Sequence, residues 1–221
     1  MHRAALAALV AVASSLLHAP PVALSRPASG DPNLLLQRTA DLGGGDTKDV
    51  LWLAATDGSA LRPWIPGASP AWSPAGDAVA FSAPGVKGVE DVFVLPIEGE
   101  RPFNLTSSPG AETSPSWSPD GQDLAVVTAV GISILDLAGG SETLADAEGG
   151  AGPSWSPDGA EIAYVRAVGA TRQLHVAAID GSGSRQITSD AIDHSSPAWS
   201  PDGDADRVQW YRPQRNRSLS L

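Results

Sequence analysis

Hydrophobic residues come in short bursts separated by Gly, Pro, Asp and Ser. The stretches 77–83, 123–129 and 161–166 are rich in Val, Ile and Ala, and the similar stretches 91–97, 131–137 and 173–179 follow them. They read as nearly continuous apolar runs rather than clean alternation, the pattern of strands covered on both faces. Each second run ends in a hairpin signal, at Glu98-Gly99, Gly139-Gly140 or Asp180-Gly181. More polar stretches follow at 101–106, 141–145 and 185–188 and read as outer strands. Pro96 and Pro102 fit this placement, because proline is accepted only at an edge or a bulge of a sheet.

A repeated pentapeptide gives these bursts their period. Trp72-Ser73-Pro74-Ala75-Gly76 is followed by Trp117-Ser118-Pro119-Asp120-Gly121, Trp155-Ser156-Pro157-Asp158-Gly159 and Trp199-Ser200-Pro201-Asp202-Gly203. The tryptophans lie 45, 38 and 44 residues apart, the length of one four-stranded propeller blade. Proline presets φ at the second position of a tight turn, Asp suits the third, and Gly supplies the positive φ that closes it. The tryptophan before the turn ends an inner strand, where a large flat side chain packs between blades. Four tryptophans at one equivalent position point to packing rather than to a ligand platform. The first copy, with Ala75 in place of Asp, is where the pattern is weakest.

The segments 33–39, 50–57 and 61–65 read as second, third and outer strands, and 196–200 as an inner strand. Together they make one composite blade. The expectation is an all-β propeller of about four blades of four antiparallel strands. It is closed by the terminal strands, which removes exposed edges, or it is an open arc of a truncated larger propeller.

The unit resembles the WD-like repeat of TolB and its relatives, whose hallmark is this Trp-Ser-Pro-Asp-Gly turn. Leu105-Thr106 and Ile187-Thr188 match that repeat's hydrophobic-Thr ending of the outer strand, and Asp57-Gly58 and Asp180-Gly181 match its Asp-Gly turn. The resemblance covers about residues 33–203. It implies a periplasmic propeller that works through protein–protein contacts, without catalysis. The chain departs from the family's six blades behind a separate N-terminal domain, so the resemblance reaches the repeat and not a role in envelope integrity.

Composition narrows the reading further. A formal net charge of −11 repels nucleic acid and anionic membrane surfaces. The absence of cysteine excludes disulfides, thiolate metal sites and a Cys nucleophile. Arg3 and the apolar residues 4–17 read as a signal peptide, since that run is too short for a bilayer span of roughly 20 residues. Cleavage is expected after Ser25, with no lipobox cysteine, and the product is periplasmic or secreted with no stable membrane span. The domain plan is 1–25 signal peptide, 26–32 linker, 33–203 propeller and 204–221 irregular tail.

Candidate chemistry is sparse. Asp193-His194-Ser195 has the residue types of a serine triad, but adjacent residues cannot converge as a triad must. His175 lies between Leu174 and Val176 and reads as a packed histidine. Asp202, Asp204 and Asp206 have the opening spacing of a calcium loop, which fails at Arg207 and Pro213. Asn104-Leu105-Thr106 and Asn216-Arg217-Ser218 match glycosylation acceptors, the first better explained as the outer-strand signature. No catalytic, metal or cofactor residue is expected. The reading is a non-catalytic platform for an extracytoplasmic protein or small ligand. The alternatives are a propeller related to serine peptidase accessory domains or oligogalacturonate lyases, or a fragment without independent function.

Overall fold

The structure is a computed structural model that describes residues 34–41, 47–57, 61–97, 99 and 101–200. The expected signal peptide, the linker, Pro201, Asp202, Gly203 and the C-terminal tail lie outside these residues. The described chain is built of strands in four antiparallel sheets. The first holds β1 (Leu34–Asp41), β2 (Thr47–Ala54) and β3 (Arg62–Pro66). The second holds β4 (Ala68–Trp72), β5 (Ala78–Pro84), β6 (Glu90–Pro96) and β7 (Phe103–Asn104). The third holds β8 (Thr113–Trp117), β9 (Asp123–Val127), β10 (Ile132–Asp136) and β11 (Glu142–Asp146). The fourth holds β12 (Ala151–Trp155), β13 (Glu161–Val168), β14 (Thr171–Ala178) and β15 (Ser184–Gln186). Strand order within each sheet follows the chain, the up-and-down order of propeller blades.

Side-chain parity explains the continuous apolar runs. Along β5, Val79 and Phe81 join Leu51, Ile65 and Leu95 between the first and second blades. Their neighbours Ala78 and Ala80 join Trp117, Leu124 and Val126 between the second and third. Along β13, Ile162 and Tyr164 pack with Ile132, Ile134 and Trp155, whereas Ala163 faces Trp199 on the far side of the fourth blade. A strand between two blades buries both its odd and its even residues, so period-2 alternation disappears.

Several sequence-level boundaries shift. The outer strand expected over 101–106 shrinks to Phe103–Asn104, because Pro102 has no N–H and the Thr106 hydroxyl accepts the Val92 N–H at 2.9 Å. The outer strand expected at 185–188 is Ser184–Gln186, since the Thr188 hydroxyl takes the Leu174 N–H in the same way. Pro96 closes the third strand of its blade, opposite Ala78, rather than lying in an outer strand. Residues 196–200 form no ladder strand; Ala198 makes an isolated bridge, and the first sheet has three strands.

Candidate binding face

Antiparallel connectivity gives the blades two unlike ends. The Trp-Ser-Pro-Asp-Gly turns and the hairpins between third and outer strands lie at one end, the turn face. The hairpins between second and third strands lie at the other, with the crossovers to the next blade; this is the loop face.

The turn face is spent on structure. Gly76, Gly121 and Gly159 adopt φ of 68°, 71° and 73°, and each N–H reaches the serine carbonyl at the head of its turn at 2.9 Å. The serine hydroxyl, not anticipated from sequence, is the hub. Ser118 Oγ donates to Asp120 at 2.7 Å and accepts the Asp123 N–H at 2.9 Å. Ser156 Oγ donates to Asp158 at 2.6 Å and accepts the Glu161 N–H at 2.9 Å. These serine hydrogen bonds hold the Asp120 and Asp158 carboxyls below the ordinary aspartate value. In the copy with Ala75, Ser73 Oγ turns to Asp77 at 2.9 Å instead, and the turn keeps its shape.

The tryptophans tie the blades together. Trp117 Nε1 donates to the Ala71 carbonyl at 3.1 Å, Trp155 Nε1 to Ser116 at 2.8 Å and Trp199 Nε1 to Ser154 at 3.0 Å. Each acceptor is the residue just before the tryptophan of the preceding copy. A second repeat precedes these residues: Ser69-Pro70, Ser114-Pro115, Gly152-Pro153 and Ser196-Pro197. Ser69, Ser114 and Ser196 adopt φ of 49°, 52° and 50°, and Gly152 60°. In β4, β8 and β12 this residue sits where the register slips by a bulge. Left-handed serines cost roughly 1–3 kcal/mol each.

On the loop face the blades differ. The second-to-third hairpins carry exposed valines at their tips: Val86 is 91% exposed, Val130 60% and Val168 39%. Beneath them lie charged groups. Tyr164 donates its hydroxyl to buried Asp146, and Arg166 Nη1 lies 3.1 Å from the same carboxylate and 2.8 Å from Glu148. Burial pushes the Asp146 carboxyl up, but the Tyr164 hydroxyl, the Glu148 N–H, the Ser184 hydroxyl and Arg166 outweigh it and hold it below the ordinary value. Burial pushes the Tyr164 hydroxyl up, and Asp146 reinforces that. His175 stacks on Tyr164 with ring centroids 5.7 Å apart, is fully buried, and has no hydrogen-bond partner at either ring nitrogen. Burial, with Arg166 second, lowers its pKa, so the ring is neutral.

The Asp193-His194-Ser195 run does not assemble as a triad. Asp193 accepts the Arg172 main-chain N–H at 2.7 Å, while the buried His194 ring pairs through Nε2 with Asp190 at 2.9 Å. Asn104, first residue of the glycosylation-like triplet, donates instead to Asp91 at 2.6 Å. Asp202, Asp204 and Asp206 lie outside the described residues. Among the described residues no three His, Cys, Asp or Glu side chains converge in a metal-holding group.

Comparison with known proteins agrees on the architecture. No family model matches the chain. Over 85 residues it is 29% identical to a protein of Bacillus subtilis described as an uncharacterized peptidase, YuxL, covering 37% of this chain and 13% of that one. TolB from Acinetobacter baumannii superposes with a TM-score of 0.61 at 21% identity, over 75% of this chain and 43% of its own. A putative TolB from Agrobacterium tumefaciens gives 0.63 at 25% identity, over 79% and 69%. The chain thus spans less than half of the Acinetobacter protein and about an eighth of the Bacillus one. The fold is that of a β-propeller whose four sheets are its blades.

Proposed function

We propose that the protein is an exported, non-catalytic propeller that binds another protein through its loop face. The observation that carries this reading is the recurrence of an exposed valine at the same hairpin of three consecutive blades, Val86, Val130 and Val168. Single exposed apolar residues are ordinary, but apolar tips repeated on one face gather exposed apolar surface of the kind that marks a protein contact. On the turn face the repeated serines, aspartates and tryptophans bond within the scaffold, and among the described residues the exposed apolar side chains there, such as Leu61, do not recur from blade to blade. The likeness to TolB structures supports the same reading. The leader-like N-terminus supports export, and among the described residues no helix is long and apolar enough to cross a membrane.

The test is crosslinking capture from the envelope fraction with the wild type and with a variant carrying Val86→Asp, Val130→Asp and Val168→Asp. A partner captured by the wild type and lost by the variant, at unchanged melting temperature, supports the proposal. Equal capture by both proteins refutes it.

The match to the Bacillus peptidase supports a second reading, a propeller that serves a hydrolase domain. Its mark is complex formation with a hydrolase, read as peptidase activity that co-purifies with the captured partner.

A further inference from the structure

The crossovers that leave the second and fourth blades have the same length and the same main-chain bonds, which makes their side chains directly comparable. The Val92 N–H meets Thr106 Oγ1 at 2.9 Å, and the Leu174 N–H meets Thr188 Oγ1 at 2.9 Å. Leu105 N–H reaches Val92 O and Ile187 N–H reaches Leu174 O, both at 2.8 Å. Glu112 N–H reaches Glu90 O at 2.8 Å, and His194 N–H reaches Arg172 O at 3.0 Å. Residue 91 therefore corresponds to 173, 104 to 186, 108 to 190 and 110 to 192.

In the fourth blade this position is Gln173, 2% exposed. Its amide nitrogen donates to the Asp190 carbonyl at 2.8 Å, the Ile192 carbonyl at 3.4 Å and Thr171 Oγ1 at 2.7 Å. Its amide oxygen accepts the Thr188 hydroxyl at 2.8 Å. One buried donor group thus satisfies the carbonyls of the crossover. In the second blade the position is Asp91, 4% exposed, which has only acceptors. Its Oδ2 takes the Asn104 amide at 2.6 Å, while Oδ1 is buried without a hydrogen-bond partner, as is Asn104 Oδ1. On the same crossover Glu112 is buried; one oxygen accepts from Ser108, and Oε2 has no hydrogen-bond partner.

Acceptors thus gather where the sister blade places a donor. Burying such a carboxylate without a partner is costly, and a neutral water supplies protons but no charge. Among the described residues Asp91 has no ion pair with Lys or Arg.

We propose that this crossover holds a hard divalent cation of the calcium type. Asp91 Oδ1 is the anionic ligand and Asn104 Oδ1 a neutral one; the carbonyl of Ser108 and that of Gly110, which lies 3.2 Å from the Ser108 hydroxyl, are the counterparts of those bound by Gln173 and complete the oxygen set. Calcium accepts such mixed carboxylate, amide and main-chain ligands, and a site with one or two carboxylates binds weakly, in the range of about 0.1–1 mM. The site departs from the sequence-based expectation of no metal, because a single aspartate at the head of a strand carries no ligand spacing.

The test is thermal melting of the purified full chain, stripped with chelator and titrated with calcium chloride to about 10 mM, alongside calorimetric titration of calcium. At ten times Kd the melting temperature rises by about 3–6 °C. Asp91→Gln copies the fourth blade; it melts at or above the stripped wild type and does not respond to calcium. Asn104→Asp adds a charge and lowers the calcium Kd several-fold, an outcome independent of how Asp91→Gln folds. The proposal is overturned if the wild type does not respond to calcium at about 10 mM, if Asp91→Gln keeps the full response, or if acid stabilises the stripped protein in place of calcium.

Discussion

The indole bonds between blades offer the sharpest test of how this propeller is held together, and Trp155→Phe isolates one of them. Trp155 is 8% exposed, and its N–H meets the Ser116 carbonyl at 2.8 Å in the preceding blade. Losing that hydrogen bond costs about 1 kcal/mol. Replacing indole by phenyl removes buried apolar area worth about 1 kcal/mol more and leaves a small cavity among Ile132, Ile134 and Ile162. The total is about 2–3 kcal/mol, which lowers the melting temperature of a chain this size by roughly 4–12 °C. Far-UV circular dichroism is the appropriate probe, since fluorescence loses a reporter with the mutation. Trp72→Phe is the internal control: Trp72 is only partly buried, and among the described residues it donates to no carbonyl. Its cost stays below about 1.5 kcal/mol, because only area is lost. Equal costs at the two positions, or a loss under about 0.5 kcal/mol at Trp155, would refute the view that the N–H bond couples the blades.

Three further outcomes follow from the charged and turn residues. Asp146→Asn destabilises at pH 7 by about 2–3 kcal/mol, since it weakens a buried carboxylate bonded to Tyr164 and Arg166. A carboxylate held below its ordinary value stabilises the fold above about pH 4, so the gap to wild type closes as pH falls through the acid range; a constant gap contradicts the assignment. The lowered pKa of buried His175 means that the unfolded chain binds the extra proton first, so stability falls as pH drops below about 6.5. His175→Phe should flatten that slope in denaturant titrations at pH 7 and 5, and an unchanged slope removes His175 as its source. Asp77→Ala costs about 1 kcal/mol in the first turn, and adding Ala75→Asp restores it, because the Ser73 hydroxyl then regains the partner used by Ser118 and Ser156.

Which parts of this molecule were legible in its sequence depends on whether their partners are local. The five-residue turn announces itself because its geometry is set within a few residues, by Pro74, Pro119 and Pro157 and by the glycines that take positive φ. The apolar runs mark strands equally well, but their lack of alternation hides which interblade core each residue joins. Ser69, Ser114 and Ser196 were readable in principle, since each stands before proline three residues ahead of a repeated tryptophan. Their left-handed backbone was missed because serine rarely adopts it. The Asp146–Tyr164–Arg166 group joins residues 18 and 20 positions apart across two blades, a separation with no periodic signature. The pairing of His194 with Asp190 rather than Asp193 likewise depends on how one crossover bends.

A repeat architecture turns each blade into a control for the others, and this bears on where function resides. The positions that recur, from the turn serines to the indole donors, are bonded within the scaffold and are explained by folding alone. The positions that differ on the same backbone are the informative ones. Gly67, Glu112, Gly150 and His194 each stand two residues before a left-handed residue, and their side chains range from none to a carboxylate to an imidazole. At Gly150 a Cβ would approach Tyr164 to 2.7 Å and Ile132 to 3.0 Å, so packing between the third and fourth blades dictates glycine there. At Glu112 and His194 there is room for a buried polar group, and each finds its partner four residues earlier, Ser108 in one case and Asp190 in the other. Folding needs only that these groups be satisfied; it does not need one crossover to be rich in acceptors and its sister to be balanced. The contrast between Asp91 and Gln173 is therefore the difference on this face that scaffold requirements leave unexplained, and the one from which a ligand follows.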